Sequence, residues 1–179
     1  MTDLDPAFTH RIPDDDDRKR AICDHCGFID YVNPKIVAGA VVEAEDGRVL
    51  MCKRAIEPRT GFWTLPAGYM ELGESVAEAA EREVREEACA TIETTDLLGI
   101  YSIPRISQVQ IFFRARLSVP DIAAGPESQA VALYHWDEIP MDELAFPSVR
   151  WALEDWKARK GQATITPALR TQGADMAPY

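Results

Sequence analysis

The spacing of apolar residues changes several times along the chain, and each change marks an element. From 36 the chain reads IVAGAVV and then EAEDGRVLMCKR, two β-rich runs flanking a turn centred on Asp46-Gly47, which predicts a hairpin. Further strands are predicted near 97–103, 109–117 and 130–136, with Pro104 and the stretch DIAAGPES as interruptions. Two segments take a helical period instead. The first covers 76–90 and opens with Ser75 and Glu78 at capping-box spacing. The second starts near Pro147-Ser148, carries Val149, Ala152, Leu153 and Trp156 as its apolar stripe, and ends at Gly161. Strands outnumber helices, so the expected class is α+β. Residues 1–22, with Pro6, Pro13 and four aspartates at 14–17, predict an extended arm. The last stretch, GQATITPALRTQGADMAPY, follows neither period and predicts a loose tail. The expected organisation is an N-terminal arm over 1–30, one domain over 31–160 and a tail over 161–179.

The first helix carries a heavy load of acid: residues 71–87 hold seven glutamates against Arg82 and Arg85. A solvated face laced by i,i+4 pairs, Glu78 with Arg82 and Glu81 with Arg85, accounts for part of it. At about 100° per residue with Val76 at zero, Ala80, Val84 and Ala77 fall between about 40° and 100° and define an apolar sector. Glu78, Glu81, Arg82 and Arg85 lie between about 140° and 240°, the side expected to face water. Glu83 and Glu87 fall within about 20° of Val76, and Glu86 lies close beside them at about −80°. These three carboxylates are predicted to point toward or along the protein. A dehydrated trio of this kind either takes up protons or holds a cation. Mg²⁺ suits it, because that ion binds carboxylate oxygens, retains several waters and bridges to substrate phosphates. A buried ion-pair network around Arg82 is the alternative.

Composition narrows the picture. With 179 residues, 46% of them apolar, the chain is long enough for one domain with its own core and short for two. The formal charge of −11 has the wrong sign for gripping nucleic-acid phosphates, so no nucleic-acid partner is expected, and binding an anion requires a cation. No apolar run approaches the roughly 18 residues of a membrane span, and MTDLDPAF lacks the layout of a secretory signal. A soluble, cytoplasmic protein without a membrane partner is expected. Cysteines at 23, 26, 52 and 89 make a poor disulfide framework, and Cys52 and Cys89 read as reduced core thiols. Cys23 and Cys26 form a C-x2-C knuckle, half of the four-ligand set that a structural Zn²⁺ needs, with His10 and His25 the nearest substitutes. Zinc and a relic turn both stand as readings of it.

Read as a string, Gly68, five residues, Glu74, seven residues and then Arg82-Glu83-Val84-Arg85-Glu86-Glu87-Ala88-Cys89-Ala90 resembles the Nudix box, the signature of hydrolases acting on a nucleoside diphosphate linked to another moiety. The family usually has Gly where this chain has Cys89, at the place where a residue of positive φ closes the helix. The stretches YVNPKIVAG, CKRAIEPRTGFWTLPAGYMELGES, GPES and DELAFPS are similar to a subgroup of FAD and ADP-ribose diphosphatases whose N-terminal segment carries two C-x2-C pairs; here no cysteine precedes Cys23. The resemblance implies an α/β/α sandwich with a mixed β-sheet, commonly a homodimer, acting on a small-molecule nucleotide. NADH-diphosphatase relatives have SQPWPFP where this chain has SQVQIFF at 107–113, which disfavours NADH, and Pro104 agrees with a marker of ADP-ribose hydrolases.

Carried over position by position, Glu83, Glu86, Glu87 and the Gly68 carbonyl match the family's metal ligands, for Mg²⁺ or Mn²⁺. Glu74 and Arg82 match supporting positions, with Arg82 orienting the glutamates. Glu83 and Glu127, the latter in the GPES loop, are the candidate general bases. Phe62, Tyr101 and Phe112 are candidates to stack on a base or flavin, as is Tyr31, and Arg54, Arg59 and Arg105 to pair with phosphates. The expected activity is metal-dependent hydrolysis of the diphosphate bridge of ADP-ribose or FAD, with NADH or nucleotide sugars as the alternative substrates. A sensor or regulatory protein that binds an ADP-ribose-like nucleotide without cutting it is the alternative of another class.

Overall fold

The computed structural model describes residues 7–173, and the chain divides into two units, Met1–Pro34 and Lys35–Tyr179. In the first unit β1 (Phe8–Arg11), β2 (Arg20–Cys23) and β3 (Ile29–Asp30) form an antiparallel three-stranded sheet. The expectation of an extended arm is thereby corrected from Phe8 onward; residues 1–6 of it lie outside the described residues. The aspartate run turns the chain back on itself. Asp16 accepts bonds from the N–H groups of Asp17 and Arg18 and from Arg20 Nε at 2.9 Å, and the Arg20 bond leads in holding its carboxyl down at about 2. Arg20 also lies over the Tyr31 ring, 5.2 Å from its centroid.

The same unit holds the cysteine knuckle. The backbone N–H groups of Cys26 and then His25 point at the Cys23 sulfur and hold its thiol below the usual range. Across the sheet, however, Phe8 stands opposite Cys23, and Thr9 Oγ1 donates to Asp24 Oδ2 at 2.9 Å. The facing strand supplies no thiolate, and among the described residues no group of three or more His, Cys, Asp or Glu side chains is placed to hold a metal. Two thiols do not fit a closed tetrahedral zinc site.

The second unit runs β4 (Lys35–Glu43), β5 (Val49–Arg54), β6 (Trp63–Thr64), β7 (Ala67–Tyr69), α1 (Val76–Ala88), β8 (Ile92–Ile103), β9 (Gln108–Leu117), β10 (Ser128–Tyr134), α2 (Pro147–Arg159) and β11 (Ala168–Thr171). Its sheet has the order β10-β5-β4-β9-β8-β11, with β4/β9 and β8/β11 parallel and the remaining pairs antiparallel. Alternation along β4 sends side chains to opposite faces. Val41 packs with Leu153 and Trp156 of α2, while Ala40 and Val42 pack with Val84 and Ala88 of α1. A mixed sheet with a helix on each face is an α/β/α sandwich, as the resemblance implies.

Both long helices begin where their signals place them. Ser75 Oγ accepts the Glu78 N–H while Glu78 accepts the Ser75 N–H, closing the capping box. The strands β6, β7 and β11 escape prediction because two to four residues carry no period. β11 corrects the expected loose tail over 168–171; residues 174–179 of that tail lie outside the described residues. A tertiary contact decides it. Ala168–Thr171 pairs with β8, and Arg170 grips Asp155 of α2 through Nε at 3.0 Å and Nη2 at 2.8 Å.

Cys52 is buried, as expected, whereas Cys89 is exposed and not a core thiol. It caps α1 at φ 49° and ψ 26°, its N–H donated to Arg85 O, so a residue with a β-carbon occupies the left-handed position where the resemblance implies glycine. Such a residue pays about 1–2 kcal/mol there, partly offset by the extra unfolded-state freedom of glycine. Cys89→Gly is therefore expected to stabilise the protein by about 1 kcal/mol and raise the melting temperature by about 2–4 °C in a thermal scan.

Candidate active site

The site forms where two neighbouring strands part. β4 meets β5 at Glu43↔Val49, but farther along β7 pairs with β4 and β6 with β5. This short insertion carries Gly68 up against α1. A β-carbon on Gly68 would run into the Glu83 carboxylate, so a larger residue here would push that side chain out of its place beside the strand.

Glu83 and Glu87 are 8% and 6% exposed, the inward placement that the helical angles predict, and Glu86 is exposed at the cleft edge. Arg82 departs from its predicted solvent-facing side. Its Nε and Nη2 donate to the two oxygens of Glu74 at 3.0 and 2.8 Å, and Nη2 also donates to Tyr69 O at 2.9 Å. Its Nη1 donates to Glu83 Oε1 at 2.6 Å and Glu86 Oε2 at 3.1 Å. A guanidinium has five N–H donors, and these five bonds engage all of them. Arg82 thus organises the acids and has nothing left for a phosphate. The expected i,i+4 pairs give way: Glu78 closes the helix cap, and Glu81 accepts from Thr94 Oγ1 at 3.0 Å.

The electrostatics divide the acids. The Arg82 bond, followed by the Glu71 N–H, holds Glu74 down at about 2. Burial pushes Glu87 up to about 8, the Glu83 charge adds to this, and Arg54 opposes it. Burial also raises Glu83, against the pull of Arg82. Glu87 Oε2 is buried and has no hydrogen-bond partner. A buried carboxylate oxygen with nothing bonded to it, beside a second buried carboxylate and a backbone stripped of its β-carbon, fits a hard cation by donor chemistry. In the described residues Arg82 supplies the positive charge between Glu83 and Glu86, and no three acids converge into a finished metal site.

Arg82→Met would leave Glu83 buried without its counter-charge. Removing one partner of a buried pair costs more than the pair contributes. A loss of about 2 kcal/mol is expected for this partly exposed cluster, read as a lowered midpoint in urea unfolding.

Glu127 reaches the cleft by a separate route. The N–H groups of Ala123 and Gly125 donate to the Ala88 and Glu87 carbonyls at 2.9 and 3.0 Å, closing the open end of α1. A β-carbon on Gly125 would collide with the Glu86 carbonyl oxygen, so glycine is required for this approach. Two residues on, Glu127 lines the cleft and adds its charge to those bearing on Glu83 and Glu87.

The cleft is a cavity of about 710 Å³. Of the predicted residues it brings together Glu83, Glu86, Glu87, Gly68, Arg82, Glu127, Arg54 and Phe112. Arg54 lies over the Phe146 ring, and its Nε donates to Pro58 O at 2.8 Å. Arg59, Phe62, Tyr101 and Arg105, expected to contact the substrate, are not among the residues lining the cleft. Arg59 stacks on Phe62, 3.6 Å from the ring centroid. Tyr101 is fully buried with its hydroxyl donated to Asp155 at 3.0 Å, so it has no face to offer a ligand. Arg105 belongs to the exposed 3-10 turn Pro104–Ile106. Tyr31 belongs to the first unit. Tyr69, Gln108, Gln110, Phe146 and Ser148 also line the cleft and escaped prediction. No sequence signal marked the two glutamines: with Arg114 and Arg116 they share the polar face of β9, opposite Val109, Ile111 and Phe113.

Known proteins match the chain over most of its length. The NUDIX domain model matches residues 33–157, and the Nudix N-terminal model matches residues 6–32. An ADP-ribose pyrophosphatase of Methanocaldococcus jannaschii is 31% identical over 120 residues, 65% of this chain and 69% of that protein. The NAD-capped RNA hydrolase NudC of Stutzerimonas stutzeri is 27% identical over 139 residues, 77% of this chain but 50% of its own length. The crystal structure of a NUDIX hydrolase from Nitrosomonas europaea superimposes with a TM-score of 0.88 at 39% identity, covering 96% of this chain and 97% of that one.

Proposed function

The chain belongs to the Nudix hydrolase family, and from that premise we propose that it hydrolyses the diphosphate bridge of a nucleoside diphosphate conjugate, ADP-ribose before FAD, with Mg²⁺ or Mn²⁺ as its metal. The observation that carries the proposal is the buried, unpartnered Glu87 Oε2 beside Glu83 in a cleft shared with Arg54. Glu83, Glu86, Glu87 and the Gly68 carbonyl would hold the ion. Once bound, a divalent ion polarises phosphoryl oxygens and lowers the pKa of a water.

The chain's own residues do the rest. Glu74 and Arg82 fix the glutamates in place. Arg54 offers its remaining N–H donors to the diphosphate. Water attacks one phosphorus, its oxygen forming the new bond while the bridging oxygen leaves with the other phosphate. Glu127 takes the water's proton, being held at the cleft by the loop and taking no part in the Arg82 cluster; Glu83, tied to Arg82 Nη1, is the other candidate.

The test is incubation with ADP-ribose, FAD, NADH and nucleotide sugars in Mg²⁺, with the products separated and identified. AMP and ribose 5-phosphate from ADP-ribose are the expected products. Binding of ADP-ribose without cleavage of any of these compounds would show a sensor instead.

A further inference from the structure

The cleft wall includes part of β9, where Gln108, Gln110 and Phe112 lie two residues apart and share one face. The two amides and a tyrosine form a chain: Gln110 Nε2 donates to Gln108 Oε1 at 3.2 Å, and Gln108 Nε2 donates to the Tyr69 hydroxyl at 3.0 Å. Exposure grades along it, from 9% at Gln110 to 50% at Tyr69. Val37, level with Gln110 in the β4/β9 register, lines the same cleft with Ile106 and Phe112.

An amide carries two N–H donors and a carbonyl with two lone pairs. The internal chain engages one donor of each amide and the Gln108 carbonyl, so each amide keeps a donor to offer. Polar groups this deep in an apolar wall are costly unless matched. Apolar walls with a few placed polar groups are the pattern of a small-molecule subsite.

We propose that Gln108, Gln110 and Tyr69 form the subsite for the base of the substrate, and that the base is an aminopurine of the adenine type. The proposal rests on the hydrolase reading above and names the half of the substrate that this part of the cleft takes. An amide meets the edge of adenine with a donor and an acceptor side by side, opposite an exocyclic amino group and a ring nitrogen. A flat ring also satisfies Val37, Ile106 and Phe112. A phosphorylated sugar does not, because its hydroxyls would lie against those side chains without partners.

Calorimetric titration of the full chain with AMP, purine riboside 5′-monophosphate and ribose 5-phosphate separates the halves without requiring turnover. Wild-type protein should bind AMP about tenfold tighter than the purine analogue, which lacks the amino group. Gln108→Leu and Gln110→Leu should each weaken AMP about tenfold and leave ribose 5-phosphate unchanged. Gln108 is less buried than Gln110, so its variant keeps the test alive if Gln110→Leu fails to fold. The subsite assignment is overturned if AMP does not bind the wild type, if neither substitution weakens AMP, or if ribose 5-phosphate is weakened instead. Amide-dependent AMP binding in a protein that cuts no ADP-ribose would overturn the hydrolase reading while leaving the base subsite standing.

Discussion

Glu87→Gln is expected to lower kcat for diphosphate hydrolysis by about a thousandfold or more while the melting temperature stays within about 2 °C. The two halves of that result have one origin. Burial beside Glu83 makes the ionised carboxyl costly in the metal-free protein, and its Oε2 makes no hydrogen bond that an amide would lose. The near-isosteric amide removes a charge that the fold did not need. What it cannot do is serve as an anionic ligand to a hard cation. Added Mg²⁺ should therefore raise the melting temperature of the wild type, by linkage to the folded state, and leave that of the variant unmoved. Metal-dependent turnover at the wild-type rate would show that Glu87 is no ligand.

The second large effect is metal removal. EDTA should reduce hydrolysis to background, and Mg²⁺ or Mn²⁺ in excess of the chelator should restore it. A chain of net charge −11 must bring a polyanion to a cleft that already presents Glu83, Glu86, Glu87 and Glu127. Among the cleft's arginines, Arg82 has all five donors engaged by protein groups and cannot serve the substrate. Arg54 is left as a donor, and two guanidinium charges do not offset the six glutamates that line the cleft. A divalent cation adds to that positive charge. Full activity after exhaustive chelation, confirmed by elemental analysis of the protein, would defeat this mechanism.

Much of the fold was legible because it rests on periodicity. The run IVAGAVV became the central strand β4, the alternating and helical stretches became β9, β10, α1 and α2, and helical angles alone turned Glu83 and Glu87 inward. Arg82 shows where that reasoning stops. Its angle places it toward water, but a long flexible side chain need not follow its Cβ when Glu74, eight residues away, and a strand carbonyl at Tyr69 wait on the other side. Cys89 is a milder case: the missing glycine changed the strain at the helix end and not its geometry.

The sequence by itself determined which residues bear the acid, which faces of the strands and helices are apolar, and where the helices start, because these depend on neighbours within one or two turns. Only the tertiary structure decided that β7 would bring Gly68 to Glu83, that the loop ending at Glu127 would close α1, that Tyr101 would be spent on Asp155, and that Gln108 and Gln110 would line a cleft. Each of those joins residues far apart along the chain, and such meetings are settled by how the layers close on one another, which no local pattern encodes.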